Sequence, residues 1–379
     1  MPLPLARPLP KPGANPQLGN PLPGLTSEQL AAFGAGFVEF TNVETPEGGL
    51  GPIFNGRSCA ECHSAGGIGG ASTVTVTRFG RMENGHFDPL DSLGGSLLQR
   101  FAVDPALQER VPPQANVVEQ RQSTALFGLG LIEAIPDAAI AQNAREPKTD
   151  GVRGRAAMVF DPATNGMRVG RFGWKSQIAN LTTFAGDAYS NEMGVTNRFF
   201  PLENAPNGDE ALLLQYQPNP FVEDQIDPAT GKSDIDLASD FMRLLAPPSP
   251  MTQTASARLG EALFKQIGCA SCHKPTMSTG PSPIAALNRV QVNLYSDLLL
   301  HDMGTLADGI AQGDAGTREM RTAPLWGLRV RTRFLHDGRA ATLYDAVRGH
   351  AGEATVSRDR YQRLPANQRH QLLDFLGLL

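Results

Sequence analysis

Two pentapeptides, "CAECH" at residues 59–63 and "CASCH" at 269–273, hold all four cysteines of the chain, and in each a histidine follows at once. Cys59, Cys62 and His63, and again Cys269, Cys272 and His273, match C-x-x-C-H, in which two thiols bond the edge of a haem and the adjacent histidine reaches its iron. The spacing has a mechanical cause: two intervening residues match the separation of the haem's two reactive side groups, and the next residue then points under the iron. No cysteine is left over for a disulfide. One copy alone could be half a zinc site or a redox dithiol. Two copies, with no further cysteine near either to complete a zinc site, favour two covalently bound c-type haems.

An iron held by one histidine has a second axial position, and its occupant decides whether the haem stores electrons or binds a substrate. Candidates are His86, His301, His336, His350 and the 10 methionines. The stretch "FLHDGRAATLYDAVRGHAGEA" carries His336 and His350 fourteen residues apart. "GHAGEA" is rich in small residues, which lets backbone approach a haem closely. His86, in "RMENGHFDPL", sits in a turn-like setting.

These residues need elements to position them. "TSEQLAAFGAGFVEF" predicts a helix capped by Thr26, with Gln29 completing a capping box and Leu30, Phe33 and Phe37 on one face; it leads into the first haem motif. "TASARLGEALFKQIGCASCH" repeats the order, with Leu259, Leu263 and Ile267 at helical spacing. "STVTVTRFG" alternates like a short strand, while "LFGLGLIEAI" and "DLASDFMRLL" read as helices. "LPANQRHQLLDFLGLL" reads as a closing helix with Leu372, Leu373, Phe375 and Leu376 inward and His370 towards solvent.

The expected fold is therefore mainly α: two cytochrome c-like haem domains with long irregular loops and a few short strands. The 40 glycines and 30 prolines among 379 residues, against only 19% charged, point to those loops. "LLAPPSP" at 244–250 is the natural boundary. The expected organisation is a Pro-rich tail over 1–25, an N-terminal domain with inserted segments over 26–246, and a C-terminal domain over 251–379. A formal charge of -5 gives no basic field for nucleic acid. No apolar run approaches the ~18 residues that span a membrane. Covalent haem attachment occurs outside the bacterial cytoplasm, and "MPLPLARPLPKPGANPQLGNPLPG" has neither a basic start with an apolar core nor a small-residue cleavage site. The chain is read as a mature, periplasmic form from which a leader has been removed.

The sequence resembles the bacterial di-haem cytochrome c peroxidase superfamily, and most closely its branch of di-haem oxidoreductases similar to peroxidases and thiol oxidoreductases. The likeness runs through "GLGPIFNGRSCAECH", "LFGLGLIEAIPDA", "GRFGWKSQIANL", "LLLHDMG" and the segment with His336. It implies that His350 is the distal ligand of the C-terminal haem, where relatives present methionine or tyrosine, so that His273 and His350 close that iron. His336 and His301 then support the haem without binding its iron. The likeness matches Trp174 to a tryptophan between the haems, with Trp326 as a second candidate. It matches Glu192, Met193 and Gly194 to a triplet whose glutamate moves protons over an open haem. A calcium ion between the domains is also implied, although Gln122 stands at the position of its asparagine ligand; Thr332 matches a carbonyl donor.

The function so implied is a periplasmic oxidoreductase that reduces hydrogen peroxide at the His63 haem, whose far side is open, water-filled or closed by His86. Glu192 would assist O–O cleavage, and electrons would arrive through Trp174 from a small cytochrome or cupredoxin. Two rivals stay open: oxidation of a protein or small organic substrate, and electron carriage with no turnover.

Overall fold

The structure, a computed structural model, describes residues 18–216, 222–249 and 251–379. The expected Pro-rich tail lies, up to residue 17, outside the described residues. Helices joined by long irregular connections dominate, with short antiparallel strands between them.

Helix Ser27–Thr41 begins with both halves of the predicted capping box: the Gln29 N–H donates to Thr26 Oγ1 at 3.2 Å, and the Thr26 N–H to Gln29 Oε1 at 3.0 Å. Its buried face carries Phe33, Phe37 and Phe40, whose rings surround Phe241 of helix Asp234–Leu244 at 5.2, 6.0 and 4.6 Å. Gly36 makes this approach feasible, since a Cβ there would lie 2.3 Å from the Leu237 oxygen.

Helix Ala255–Gln266 repeats the device against the closing helix Ala366–Leu376. A Cβ on Gly260 would lie 1.9 Å from the Gln371 oxygen. The expected stripe is only partly realised: Leu263 and Ile267 are buried, but Leu259 is 55% exposed. The partner helix comes closest at Gly260, and Leu259, one residue along, is turned about 100° from it. The two copies also differ in how they reach their motifs. Only residues 267–268 separate the second helix from Cys269, whereas 42–58 separate the first from Cys59. In the closing helix Leu372, Phe375 and Leu376 are buried, Leu373 is half-buried and His370 is exposed.

Two large apolar cores result. One joins the Phe241 cluster to Leu129, Ile132, Tyr189 and the segment from Met277 to Leu299, with Cys59 packed against it. The other holds Phe264, Leu328, Phe334, Tyr361 and Phe375, with Cys269 against it. Each haem motif thus stands at the margin of a core.

The alternating stretch, residues 72–80, forms a strand shifted three residues along, Thr75–Glu83, paired antiparallel with Val117–Gln122, His86–Asp88 and Leu97–Leu98. Its two-residue period sets Val76 and Arg78 on one face. The register sets Arg121 directly across from Val76.

Candidate functional site

Cys59–Cys62 is a single helical turn, started by Ser58, whose Oγ accepts the Glu61 N–H, and ended by His63, whose N–H returns to the Cys59 oxygen. Positions i, i+3 and i+4 lie on one helix face, so Cys59, Cys62 and His63 point together. They line a cavity enclosing about 1150 Å³ of atom-free space, part of it open to solvent. The His63 Nδ1 faces the Gly70 oxygen at 3.2 Å, and burial pushes its pKa down to about 4, so the ring is neutral. Glu192 lines the same cavity, in a π turn spanning Tyr189–Met193, a departure from α geometry that is frequent at functional sites. Asn55 fixes it: the side-chain amide donates to Glu192 Oε2 at 2.9 Å, and the Asn55 main-chain N–H donates to the Glu192 oxygen at 2.7 Å. Burial pushes the Glu192 carboxyl up, against the opposing pull of Arg78 and Asn55. Gly194 ends the turn at φ 73°, where a Cβ would lie 2.7 Å from the Gly51 oxygen.

The second motif opens on a tighter turn, Cys269–Ser271, preceded by Gly268 and without a side-chain cap, but it too ends with the His273 N–H on the Cys269 oxygen at 3.0 Å. It opens on a larger cavity of about 1370 Å³ of atom-free space, also partly open, lined by Cys269, Cys272, His273, His301, His336 and His350. His350 ends helix Leu343–Gly349, which Thr342 caps. The His273 and His350 rings stand 6.3 Å apart, centre to centre. Each turns Nδ1 to a main-chain oxygen, His273 to Tyr295 at 3.0 Å and His350 to Ala346 at 2.8 Å. Burial keeps both neutral, which leaves each Nε2 with a free lone pair. His301 differs: Glu353 Oε2 lies 2.7 Å from its Nδ1 and Asp297 Oδ2 3.0 Å from its Nε2. Burial would depress it, but Asp297, Cys272 and Glu353 outweigh that and push it up to about 12. His301 is therefore a clamped cation, with Cys272 Sγ 3.7 Å away and no nitrogen to offer a metal. His336 is buried, held down to about 4 by desolvation, with its Nε2 unpartnered.

Trp174 lines both cavities. Its indole N–H donates to the Gln122 oxygen at 2.7 Å, and its ring meets that of His336 edge-on at 6.2 Å.

Residues 106–379 match the family described as "Di-haem oxidoreductase, putative peroxidase". The chain belongs to that family. Among solved structures, hydrazine synthase of Kuenenia stuttgartiensis aligns at 14% identity and TM-score 0.42, over 100% of this chain and 98% of that one. A variant of the diheme peroxidase BthA of Burkholderia thailandensis aligns at 15% and 0.43, over 97% and 93%. A MauG-like protein associated with microbial copper homeostasis aligns at 17% and 0.33, over 72% and 91%. No curated protein matches the sequence.

As a member of a di-haem family the oxidoreductase has two haems to hold, and its cavities suit them. The cysteine pairs line separate cavities, so they cannot combine into one four-ligand zinc site. Two imidazoles bonded to one metal from opposite sides, at about 2 Å each, hold their centres roughly 6 Å apart, the spacing of His273 and His350. The C-terminal cavity also receives Arg321 and Arg331, neither paired with a carboxylate among the described residues. Arg321 bonds only main-chain oxygens, of Gly173 at 2.7 Å and Thr322 at 3.2 Å, and burial pulls it down to about 10. Bare guanidinium groups there suit the two acidic side groups of a haem.

Calcium fits less well. The Gln122 side-chain nitrogen donates to the Ser72 oxygen and its main-chain oxygen accepts from Trp174. The nearby Asp308 is already taken by Arg121 at 2.6 Å and Lys175 at 3.0 Å. Two fixed cations around one spent carboxylate do not make the oxygen-rich cage that calcium takes.

Of the other sequence candidates, His86 is exposed on the hairpin Glu83–His86 and lines neither cavity. Trp326 lines a small third cavity beside Gly173 and Arg321. Sequence reading passed over Asn55, Arg78, Asp187 and Tyr189, all in or against the N-terminal cavity. Arg78 had left a signal, as the single charged residue in the alternating stretch "STVTVTRFG". Asp187, five residues before Glu192, had left none.

Proposed function

We propose that this oxidoreductase reduces hydrogen peroxide in the N-terminal cavity, with electrons that enter at the C-terminal one. In this reading Cys59, Cys62 and His63 would hold one haem, and Cys269, Cys272, His273 and His350 would hold the other. When bound, the haems supply electron storage and, at an open axial position, activation of the oxidant. The observation that carries the reading is Trp174, the wall shared by both cavities. Its N–H is anchored on Gln122, so the ring keeps one orientation between the two sites and serves as an intermediate electron station. Glu192, tethered at Oε2, keeps its other oxygen to take a proton from the substrate and return it to the departing oxygen. His301, neutralised by Asp297 and Glu353, packs beside Cys272, and His336 braces the Trp174 ring.

Two cytochrome c-like domains, one per motif, carry the sites in this reading. Covalent attachment, in this reading, belongs with a periplasmic protein; no helix among the described residues is long and apolar enough to cross a membrane. The electron donor is a small cytochrome or cupredoxin docking near the C-terminal cavity.

Electron paramagnetic resonance of the oxidised protein, before and after one equivalent of peroxide, tests the reading. One high-spin haem that reacts and one low-spin haem are expected, together with peroxide consumption driven by a reduced small cytochrome alone. Two low-spin, unreactive haems would leave only electron carriage. Consumption that requires an added protein or organic substrate would assign the chemistry to that substrate.

A further inference from the structure

Arg78 lines the N-terminal cavity together with Cys62 and Glu192. Its side chain has one hydrogen bond among the described residues, from Nη1 to the neutral hydroxyl of Ser96 at 3.3 Å, and its buried Nε has no partner. It forms no ion pair among the described residues. The contrast with Arg121, on the same sheet face, is instructive. Arg121 also lines the cavity, but Asp308 accepts from its Nε at 2.6 Å and neutralises it. Arg78 is left as a half-buried cation facing the cavity with no carboxylate bonded to it among the described residues, while Glu192 and Asp187 favour its charge from a distance.

Two carboxyls share this wall. Glu192 is tethered by Asn55, and Asp187 accepts from the Asn191 side chain at 3.0 Å, so neither is aimed at Arg78 by its own hydrogen bonds. The strand fixes where the side chain starts, since the backbone of Thr75–Glu83 is paired along 75–80 with Val117–Gln122, and Ser96 holds one end of the guanidinium. A charged donor with free N–H groups, next to a proton-carrying carboxyl, is the arrangement that stabilises an anion forming in the site.

We propose that Arg78 contacts the substrate in the N-terminal cavity and stabilises the negative charge that develops on the departing oxygen of a peroxide. The inference rests on the reading of this cavity as the peroxide site. The reaction balances as cleavage of the O–O bond of hydrogen peroxide with uptake of two electrons, delivered by the external donor, and two protons, giving two waters. The oxygen that leaves takes the bonding pair and is anionic until protonated. Arg78 holds that charge, while Glu192 holds the proton.

The test uses azide, a small anion that binds an open ferric haem, titrated into the oxidised holoprotein and followed in the Soret band. Removing a charge-assisted donor in Arg78→Leu is expected to weaken azide binding by about tenfold or more. Arg78→Lys, which keeps the charge and loses the guanidinium geometry, is expected to fall between. Haem content and the low-spin signal of the C-terminal haem, unchanged in both, show that the fold persists; if Arg78→Leu loses haem, Arg78→Lys carries the test. Equal azide affinity in wild type and variants overturns the role of Arg78 and leaves the peroxide site standing. A wild-type protein that binds no azide at all overturns both.

Discussion

The rings of His273 and His350 face each other across the C-terminal cavity, 6.3 Å apart and inclined at 63°, each tied through Nδ1 to a main-chain oxygen of its own segment. The Nδ1 contacts leave each Nε2 without a main-chain partner of its own. In His350→Ala the C-terminal haem should lose its low-spin resonance and turn high-spin or water-bound. In His350→Met it should stay low-spin with a higher midpoint potential, because thioether ligation favours the reduced iron, within the ~0.8 V span that axial ligands command. Potentiometric titration checks the second result. An unchanged low-spin signal in His350→Ala would refute the ligand.

Trp174 offers a separable prediction. Its hydrogen bond to Gln122 and its edge contact with His336 fix a ring that both cavities share. Trp174→Leu should slow electron transfer from the C-terminal to the N-terminal haem by about tenfold or more, at least about 1.4 kcal/mol in the barrier. Stopped-flow reoxidation of the reduced protein by peroxide measures it. Azide binding at the N-terminal haem should be nearly unaffected, which separates loss of relay from loss of site.

Patterns that are local in the chain were legible before any coordinates. The two haem motifs, the capping box at Thr26 and the His336–His350 segment each declare themselves within about twenty residues. Asn55, Arg78 and Asp187 do not, because they converge only through tertiary structure. Arg78 reaches the cavity by the register of Thr75–Glu83 against Val117–Gln122, and Asp187 by the change from α to π geometry just after it. The same reason explains Leu259. Periodicity names a helix face, but the partner helix chose the face around Gly260.

That choice can be tested through stability. A methyl group at Gly260 would meet the Gln371 main-chain oxygen at 1.9 Å, where no side-chain rotation relieves it. Gly260→Ala should push apart helices Ala255–Gln266 and Ala366–Leu376, at a cost of about 1–3 kcal/mol. Thermal unfolding of the holoprotein should show a lower midpoint. Leu259→Ala, at the exposed neighbouring position, should shift it little.

Asn55 tunes Glu192, and the sign of its effect follows from the geometry. Burial pushes the Glu192 carboxyl above its ordinary value of 4.5, while Arg78 and the Asn55 amide pull it back by favouring the carboxylate. Removing the amide in Asn55→Ala removes one of those pulls, so the carboxyl rises further. If Glu192 accepts a proton from peroxide, the acid limb of the rate profile must then move to higher pH, and Glu192→Gln must abolish that limb while slowing the reaction by about 10²-fold or more. Stability adds an independent readout. A carboxyl whose folded pKa is raised keeps its proton in the native state while the unfolded chain has already released it. Stability is therefore lost as pH rises from 4.5 through the folded value. Glu192→Gln should gain on the wild type across that window and hold a constant advantage above it. Asn55→Ala should extend the loss to higher pH. A rate profile that does not move in Asn55→Ala, together with pH-independent stability differences for Glu192→Gln, would remove Glu192 from the proton path.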